Sequence, residues 1–162
     1  MTEGKKLLVL GGTYASYDVV KNAREMGVHT IVADYYEHGM AKGIADETVL
    51  ISTTDIEGLS KFIRAKGIDG VFCGPSEFNI RNMIRLTEAT GLPCYTSMEI
   101  WDRCARKDSF KAYCRQYGVD TPEEYHIDPG MPEEELEKID YPIIVKPVDG
   151  SSSVGVSVCM SK

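Results

Sequence analysis

The sequence predicts an α/β fold: a Rossmann-like parallel sheet, doubly wound, followed by the first, incomplete part of a smaller α+β layer. Two observations carry this. Short apolar runs at residues 5–10, 28–33, 48–51 and 70–73 alternate with longer stretches whose apolar residues recur at helical spacing. Helical crossovers between successive strands pair those strands in parallel, with right-handed connections. In addition, Gly27, Gly67, Gly91 and Gly118 each close a helical stretch, where a left-handed cap favours a residue without Cβ.

Taken in order, residues 5–10 read as a buried strand, and Gly11-Gly12-Thr13 turns the chain into a helix with Val19, Val20, Ala23 and Met26 on one face. Residues 28–33 form a second strand ending at Asp34, residues 35–46 an irregular stretch, and residues 48–51 a short strand. Thr54-Asp55-Ile56-Glu57 has capping-box spacing, with Thr54 as the cap and Ile56, Leu59, Phe62 and Ile63 as the apolar stripe of the next helix. Residues 70–73 are a fourth strand, and Gly74-Pro75-Ser76-Glu77 opens a helix carrying Ile80, Met83, Ile84 and Leu86. Residues 93–95 are expected to add a fifth strand, which completes a first domain over residues 1–100. Residues 101–162 then form the partial second domain. Its expected elements are helices at 96–104 and 107–117, a strand at 124–127, a short helix at 132–139, and strands at 142–146 and 156–160. Proline is tolerated at the first residue of a strand, as at Pro142.

Composition narrows the function. With 43% hydrophobic and 27% charged residues the chain is an ordinary globular sequence. A net charge of -7 and a pI near 5.0 argue against nonspecific binding of nucleic acid or anionic membrane, so any phosphate site must be local. Residues 7–10 are too short for a signal-peptide core and no run could span a bilayer, so a cytoplasmic location is expected. The five cysteines are odd in number and contain no C-x-x-C pair, which points to free thiols. His29, His38 and His126 lie far apart, without metal-ligand spacing, and read as structural or surface residues.

Two loops invite a ligand on the sheet. Gly11-Gly12-Thr13 lies where a dinucleotide fingerprint would, and Asp34 where a ribose-binding acid would. Yet the third position from Gly11 is Thr13 and the sixth is Ser16, so the G-x-G-x-x-G spacing fails and NAD is disfavoured. The turn either lines a small-substrate pocket through Gly12 and Thr13 or is purely structural. Glu77 follows the carboxyl end of the fourth strand, the edge where open α/β sheets bind ligands. The competing reading makes Ser76 a helix cap and Glu77 a first-turn acid with no ligand.

Two lysines carry the rest. Lys107 starts a helix, where a cation opposes the dipole, so it should point to solvent or answer an anion. Lys146 interrupts an apolar strand and leads through Pro147 into Asp149-Gly150-Ser151-Ser152-Ser153-Val154-Gly155, a loop of hydroxyls and unhindered amides suited to phosphate oxygens. The competing reading is a surface hairpin whose lysine snorkels.

Lys107-Asp108-Ser109-Phe110-Lys111, then Tyr117-Gly118-Val119-Asp120-Thr121-Pro122, then Tyr141-Pro142-Ile143-Ile144-Val145-Lys146-Pro147 with its serine–glycine loop, together resemble the ATP-grasp superfamily, in the branch of carbamoyl-phosphate synthase and biotin carboxylase. The resemblance covers nearly the whole chain: residues 1–100 are similar to the domain preceding the ATP-grasp domain, and residues 101–162 to the first part of that domain. It implies that Lys107, Lys146, Ser151, Ser152, Ser153 and Gly155 bind ATP, that Gly12, Thr13 and Glu77 face the substrate, and that magnesium accompanies ATP in a longer parent. It also implies the chemistry: ATP activates a small-molecule carboxylate as an acyl phosphate, which an amine or similar nucleophile attacks. The chain is expected to be an N-terminal portion of such a ligase, inactive alone, with no catalytic or metal residue assigned within it. Neither nucleic acid nor membrane is an expected partner, and the apolar strand at 156–160 could pair with another copy in a homo-oligomer. The alternative class is a non-catalytic module that uses the same sheet to hold a small metabolite or a partner.

Overall fold

The computed structural model describes residues 4–125, 127, 130–148 and 153–161; His126, Ser151 and Ser152 lie outside the described residues. Four strands, β1 (Lys6–Leu10), β2 (His29–Ala33), β3 (Glu47–Val49) and β4 (Gly70–Cys73), form a parallel sheet in the order β3-β2-β1-β4. The period-two alternation of side chains sorts the strand residues onto two faces. Leu8, Leu10, Ile31, Ala33, Val71 and Cys73 pack with Leu59 and Ile63 of α2 (Ile56–Lys66) and Met83 and Leu86 of α3 (Glu77–Thr90). Val9 and Val32 point the other way, against Val20 of α1 (Tyr17–Glu25) and Ala41. The sheet is therefore doubly wound, and β1, in the middle, is apolar on both faces as a central parallel strand must be. Leu8, Leu10 and Ile31 are completely buried. Each contributes on the order of 1.5–3 kcal/mol by leaving water.

Local signals end the elements as expected in most places. Gly67 and Gly91 take left-handed caps at φ 63° and 73°, and the Ser76 hydroxyl accepts from the Asn79 amide at 3.4 Å. Five expectations are corrected. Asp55, not Thr54, caps α2, accepting from the Gly58 amide at 2.8 Å, because the Thr54 hydroxyl is engaged with that of Ser52. Met26 lies past the last turn of α1 and is exposed. No strand forms at 93–95, so the sheet among the described residues has four strands rather than five. Side chains hold the segment instead: the Tyr95 and Phe72 rings lie 5.5 Å apart and Cys94 packs against the core.

The chain divides into two compact units, Met1–Met98 and Glu99–Lys162. The second unit holds α4 (Met98–Ala105) from its second residue, α5 (Lys107–Gln116), α6 (Glu133–Leu136) and an antiparallel hairpin of β5 (Ile143–Val145) and β6 (Ser157–Cys159). The fourth correction falls here: Glu124, Tyr125 and Ile127 form no strand. Charge draws this segment to α5 instead, with the Glu124 carboxylate 2.6 Å from Arg115 and 3.0 Å from Lys111. The helix expected over 132–139 is only the single turn of α6. All five cysteines are free thiols.

Acids fix the amino-terminal edge of the sheet. Burial opposes the charge of Asp46, but the Thr30 amide and hydroxyl, both at 2.8 Å, and Arg24 hold its carboxyl below the usual carboxylate range. Glu47, bonded to Lys66 and His29, and Asp69, bonded to Lys5 and the Lys6 amide, are lowered likewise. A folded-state pKa below the unfolded one adds stability above the unfolded value, which is lost as pH falls through the folded one. The urea midpoint should therefore drop as pH falls from about 5 toward 3, and Asp46→Asn should flatten that drop. Packing gives a second expectation. A Cβ on Gly74 would collide with the Ala15 carbonyl, whereas one on Gly43 would meet open space. Gly74→Ala should destabilise by about 1–3 kcal/mol in urea unfolding, and Gly43→Ala should stay within about 0.5 kcal/mol of the parent.

Candidate functional site

At the carboxyl edge of the sheet the loops after β1, β2 and β4 are tied into one body. The Asp34 carboxylate, almost fully buried, accepts from the Gly12 amide at 2.6 Å and from the Tyr36 amide at 3.0 Å. The Gly12 carbonyl accepts from the Ala41 amide at 3.0 Å, and Gly39 passes so close to that carbonyl that a side chain there could not fit. Lys42 is buried with its ammonium donating to the Asp34 carbonyl at 3.1 Å and to the Tyr36 carbonyl. Its stem runs beneath Gly12, where a Cβ would come within 3.1 Å of the Lys42 Cγ. On the other side, Gly74 abuts Ala15 and the Asn79 amide group packs over Gly11.

This geometry decides between the readings of the glycine turn. Gly12 has both backbone groups bonded within the chain, so it supports the loop and does not offer a free amide to a ligand. Thr13 is exposed just beyond it, with its carbonyl accepting from the Ser16 amide at 3.1 Å. Asp34, placed where a ribose-binding acid would be, has its two carboxylate oxygens on the Gly12 and Tyr36 amides. Glu77 is exposed in the first turn of α3. Burial, helped by Cys94, pushes the Cys73 thiol up to about 11, which leaves it protonated and a poor nucleophile.

Sequence reasoning passed over Lys42, whose burial cannot be read from a lysine in a polar loop, and the exposed aromatic residues that follow β1, β2 and β4. Tyr14, Tyr35, Tyr36 and Phe78 are all exposed, one or two from each of the three loops. The Tyr35 and Tyr36 rings are 4.0 Å apart, and the Tyr36 hydroxyl pushes the Tyr35 hydroxyl above its ordinary pKa. The signal was present as a Tyr-Tyr pair directly after a strand end.

The second candidate site lies wholly within the second unit. The Val148 carbonyl accepts from the Lys107 amide at 3.4 Å and from the Lys107 Nζ at 3.3 Å. The amino end of α5 and the chain leaving β5 therefore meet, although 41 positions separate the two residues. A carbonyl dipole answers the cation that the helix dipole disfavours there. Lys146, just before Val148 in the chain, is exposed at the end of β5. The returning limb packs on the outgoing one: Gly155, at φ 75°, leaves room for Pro147, whose Cγ would be 2.9 Å from a Cβ at that position. Ser153 is left-handed at φ 59°, and its carbonyl accepts from the Val156 amide at 3.3 Å. Lys107, Lys146, Ser153 and Gly155 thus share one hairpin end.

A doubly wound parallel sheet followed by a lysine-bearing antiparallel hairpin is the fold that this chain shares with the N-terminal part of solved ATP-grasp enzymes. No protein-family model matches the sequence. Among curated relatives it is 28% identical over 165 residues to a formate-dependent phosphoribosylglycinamide formyltransferase of Sulfurisphaera tokodaii, a match covering 95% of this chain and 39% of the relative. It is 25% identical over 157 residues to the enzyme of that name from Wolinella succinogenes, covering 95% of this chain and 40% of the relative. The chain thus spans about 40% of the length of the curated relatives it matches. Among solved structures, the ADP complex of N5-carboxyaminoimidazole ribonucleotide synthetase shares its fold with a TM-score of 0.78 at 18% identity, over 100% of this chain and 42% of that one. An L-amino acid ligase from Bacillus licheniformis matches with a TM-score of 0.72 at 20% identity, over 100% of this chain and 40% of that one.

If Asp34 is what ties the loops together, removing its carboxylate should release the amides it holds. In Asp34→Ala, hydrogen exchange of the Gly12 and Tyr36 amides should speed by at least about tenfold, while that of Ile31 and Val32 within β2 changes much less.

Proposed function

We propose that this chain supplies the substrate-side sheet and the phosphate-gripping hairpin of an ATP-dependent ligase, which activates a carboxylate as an acyl phosphate for attack by an amine or similar nucleophile. The observation that carries the reading is the meeting of Lys107 with the Val148 carbonyl, which sets two lysines and a glycine-bearing turn at one end of one hairpin. Phosphoryl transfer is chiefly positioning and charge stabilisation, and ammonium groups beside a turn with accessible amides suit it. In this proposal Lys107 and Lys146 contact nucleotide phosphate, with Ser151, Ser152, Ser153 and Gly155 closing over it, and Thr13 and Glu77 face the substrate above the support given by Gly12.

The curated relatives named above depend by name on formate, itself a carboxylate. The narrower likeness to carbamoyl-phosphate synthase and biotin carboxylase, and work in the cytoplasm, belong to the same proposal; no helix among the described residues is long and apolar enough to cross a membrane. No group of three His, Cys, Asp or Glu side chains comes together among the described residues, and no step here is assigned to magnesium. Spanning about 40% of its relatives, the chain by itself is expected to bind nucleotide without forming product.

Calorimetric titration of ADP into the chain tests this. Measurable binding should weaken by at least about tenfold in Lys146→Ala and in Lys107→Ala, the loss expected for a hydrogen bond to a charged group. Lys146 is exposed, so its substitution should leave the fold intact. Equal affinity in the parent and both variants would overturn the reading.

A further inference from the structure

Resting on the reading of the sheet's carboxyl edge as the substrate side, we infer that this edge takes a substrate with a protonated amine beside an aromatic or flat apolar group, and not a phosphate ester. Two independent sets of residues lead there.

The first is electrostatic. A βα turn and a helix amino end are ordinarily the anion-binding features of such an edge. Here both are already answered by the chain's own side chains. The Gly12 amide donates to the Asp34 carboxylate at 2.6 Å, and at the start of α3 the Ser76 hydroxyl takes the Asn79 amide while Glu77 places a carboxylate in the first turn. A phosphate dianion arriving at either place meets a carboxylate where it needs a donor. Over residues 11–16, 34–42 and 74–81 the acids are Asp34, Glu37 and Glu77. The cations are Lys42, whose ammonium is buried on two backbone carbonyls, and Arg81, which is engaged with a neighbour of its own. His38 is the remaining titratable side chain there apart from the tyrosines. The exposed carboxylates at the mouth of these loops are Glu37 and Glu77.

The second is the set of rings. Tyr14, Tyr35, Tyr36 and Phe78 are between 59% and 73% exposed. They stand on the loops after β1 and β2 and on the first turn of α3 after β4; these strands are neighbours in the sheet, and their loops are joined by the Gly12–Asp34 hydrogen bond and by the packing of Gly74 on Ala15. Exposed rings and an exposed acid on one sheet edge suit an organic ammonium: the ring faces attract the cation and stack against a flat group, and in this inference Glu77 accepts from the amine. Phe78 directly follows Glu77, so the acid and one ring come from the same turn.

Three probes titrated into the full 162-residue chain, followed by amide chemical shifts, separate the classes. Phenethylamine carries ring and ammonium, 3-phenylpropionate ring and carboxylate, and ribose 5-phosphate neither ring nor ammonium. Phenethylamine should bind at least about tenfold more tightly than either of the others, moving the amides of Thr13, Tyr14, Tyr35, Tyr36 and Phe78. Glu77→Gln, at an exposed position, should remove most of that preference and keep the folded spectrum. If ribose 5-phosphate shifts the same amides as strongly as phenethylamine or more so, the amine specificity is wrong and the edge remains a substrate site. If no probe moves these amides, the specificity and the assignment of this edge both fall.

Discussion

The carboxylate of Asp34 is the interaction on which the upper edge of the sheet depends. It sits at the end of β2 and holds the amide of Gly12, just past β1, so two adjacent strands leave the sheet locked together. Lys42 folds back beneath the same knot, and its buried ammonium is compensated by backbone carbonyls instead of solvent. A buried charge is tolerable only when hydrogen-bonded, and removing either partner group leaves the other exposed to the full desolvation penalty. The consequence for chemistry is direct. By spending the Gly12 amide internally, the chain surrenders a phosphate-binding donor and gains a fixed platform from which Thr13, Tyr14 and the Tyr35–Tyr36 pair project.

The second unit solves a different problem. A lysine at the start of a helix is electrostatically misplaced, and the chain leaving β5 supplies a carbonyl to it. That contact brings the amino end of α5 to the mouth of the hairpin, where Lys146 emerges from a strand and Gly155 lets the return limb pass Pro147. Neither lysine alone distinguishes a nucleotide site from an ordinary surface. Their convergence on one hairpin end is the observation on which the proposed nucleotide site rests.

Much of the fold was legible because it rests on periodicity and punctuation. Leu8, Leu10, Ile31 and Ala33 alternate as sheet residues must, and Gly67 and Gly91 stop helices where a left-handed residue is needed. The misses have local causes that pattern does not encode. Thr54 and Asp55 were both competent caps, and the choice fell to whichever oxygen was not already bonded to Ser52. Residues 93–95 have strand composition, yet side chains hold them, with Tyr95 against the Phe72 ring and Cys94 against the core. Residues 124–127 also looked like a strand until Glu124 found Arg115 and Lys111. At the candidate sites, the lysines and glycines were visible as letters. The burial of Lys42 and the full engagement of Asp34 were not, because both depend on loops folding onto each other across the sheet.

The most direct test of the account is to map bound ADP onto the chain by amide chemical shifts. The largest changes should fall on Lys107, on Lys146 and Val148, and on the Ser153–Val156 turn, with the sheet core at Leu8, Val9 and Ile31 unmoved. Shifts confined to the loops around Gly12 and Glu77, or absent from the hairpin end at saturating ADP, would contradict it.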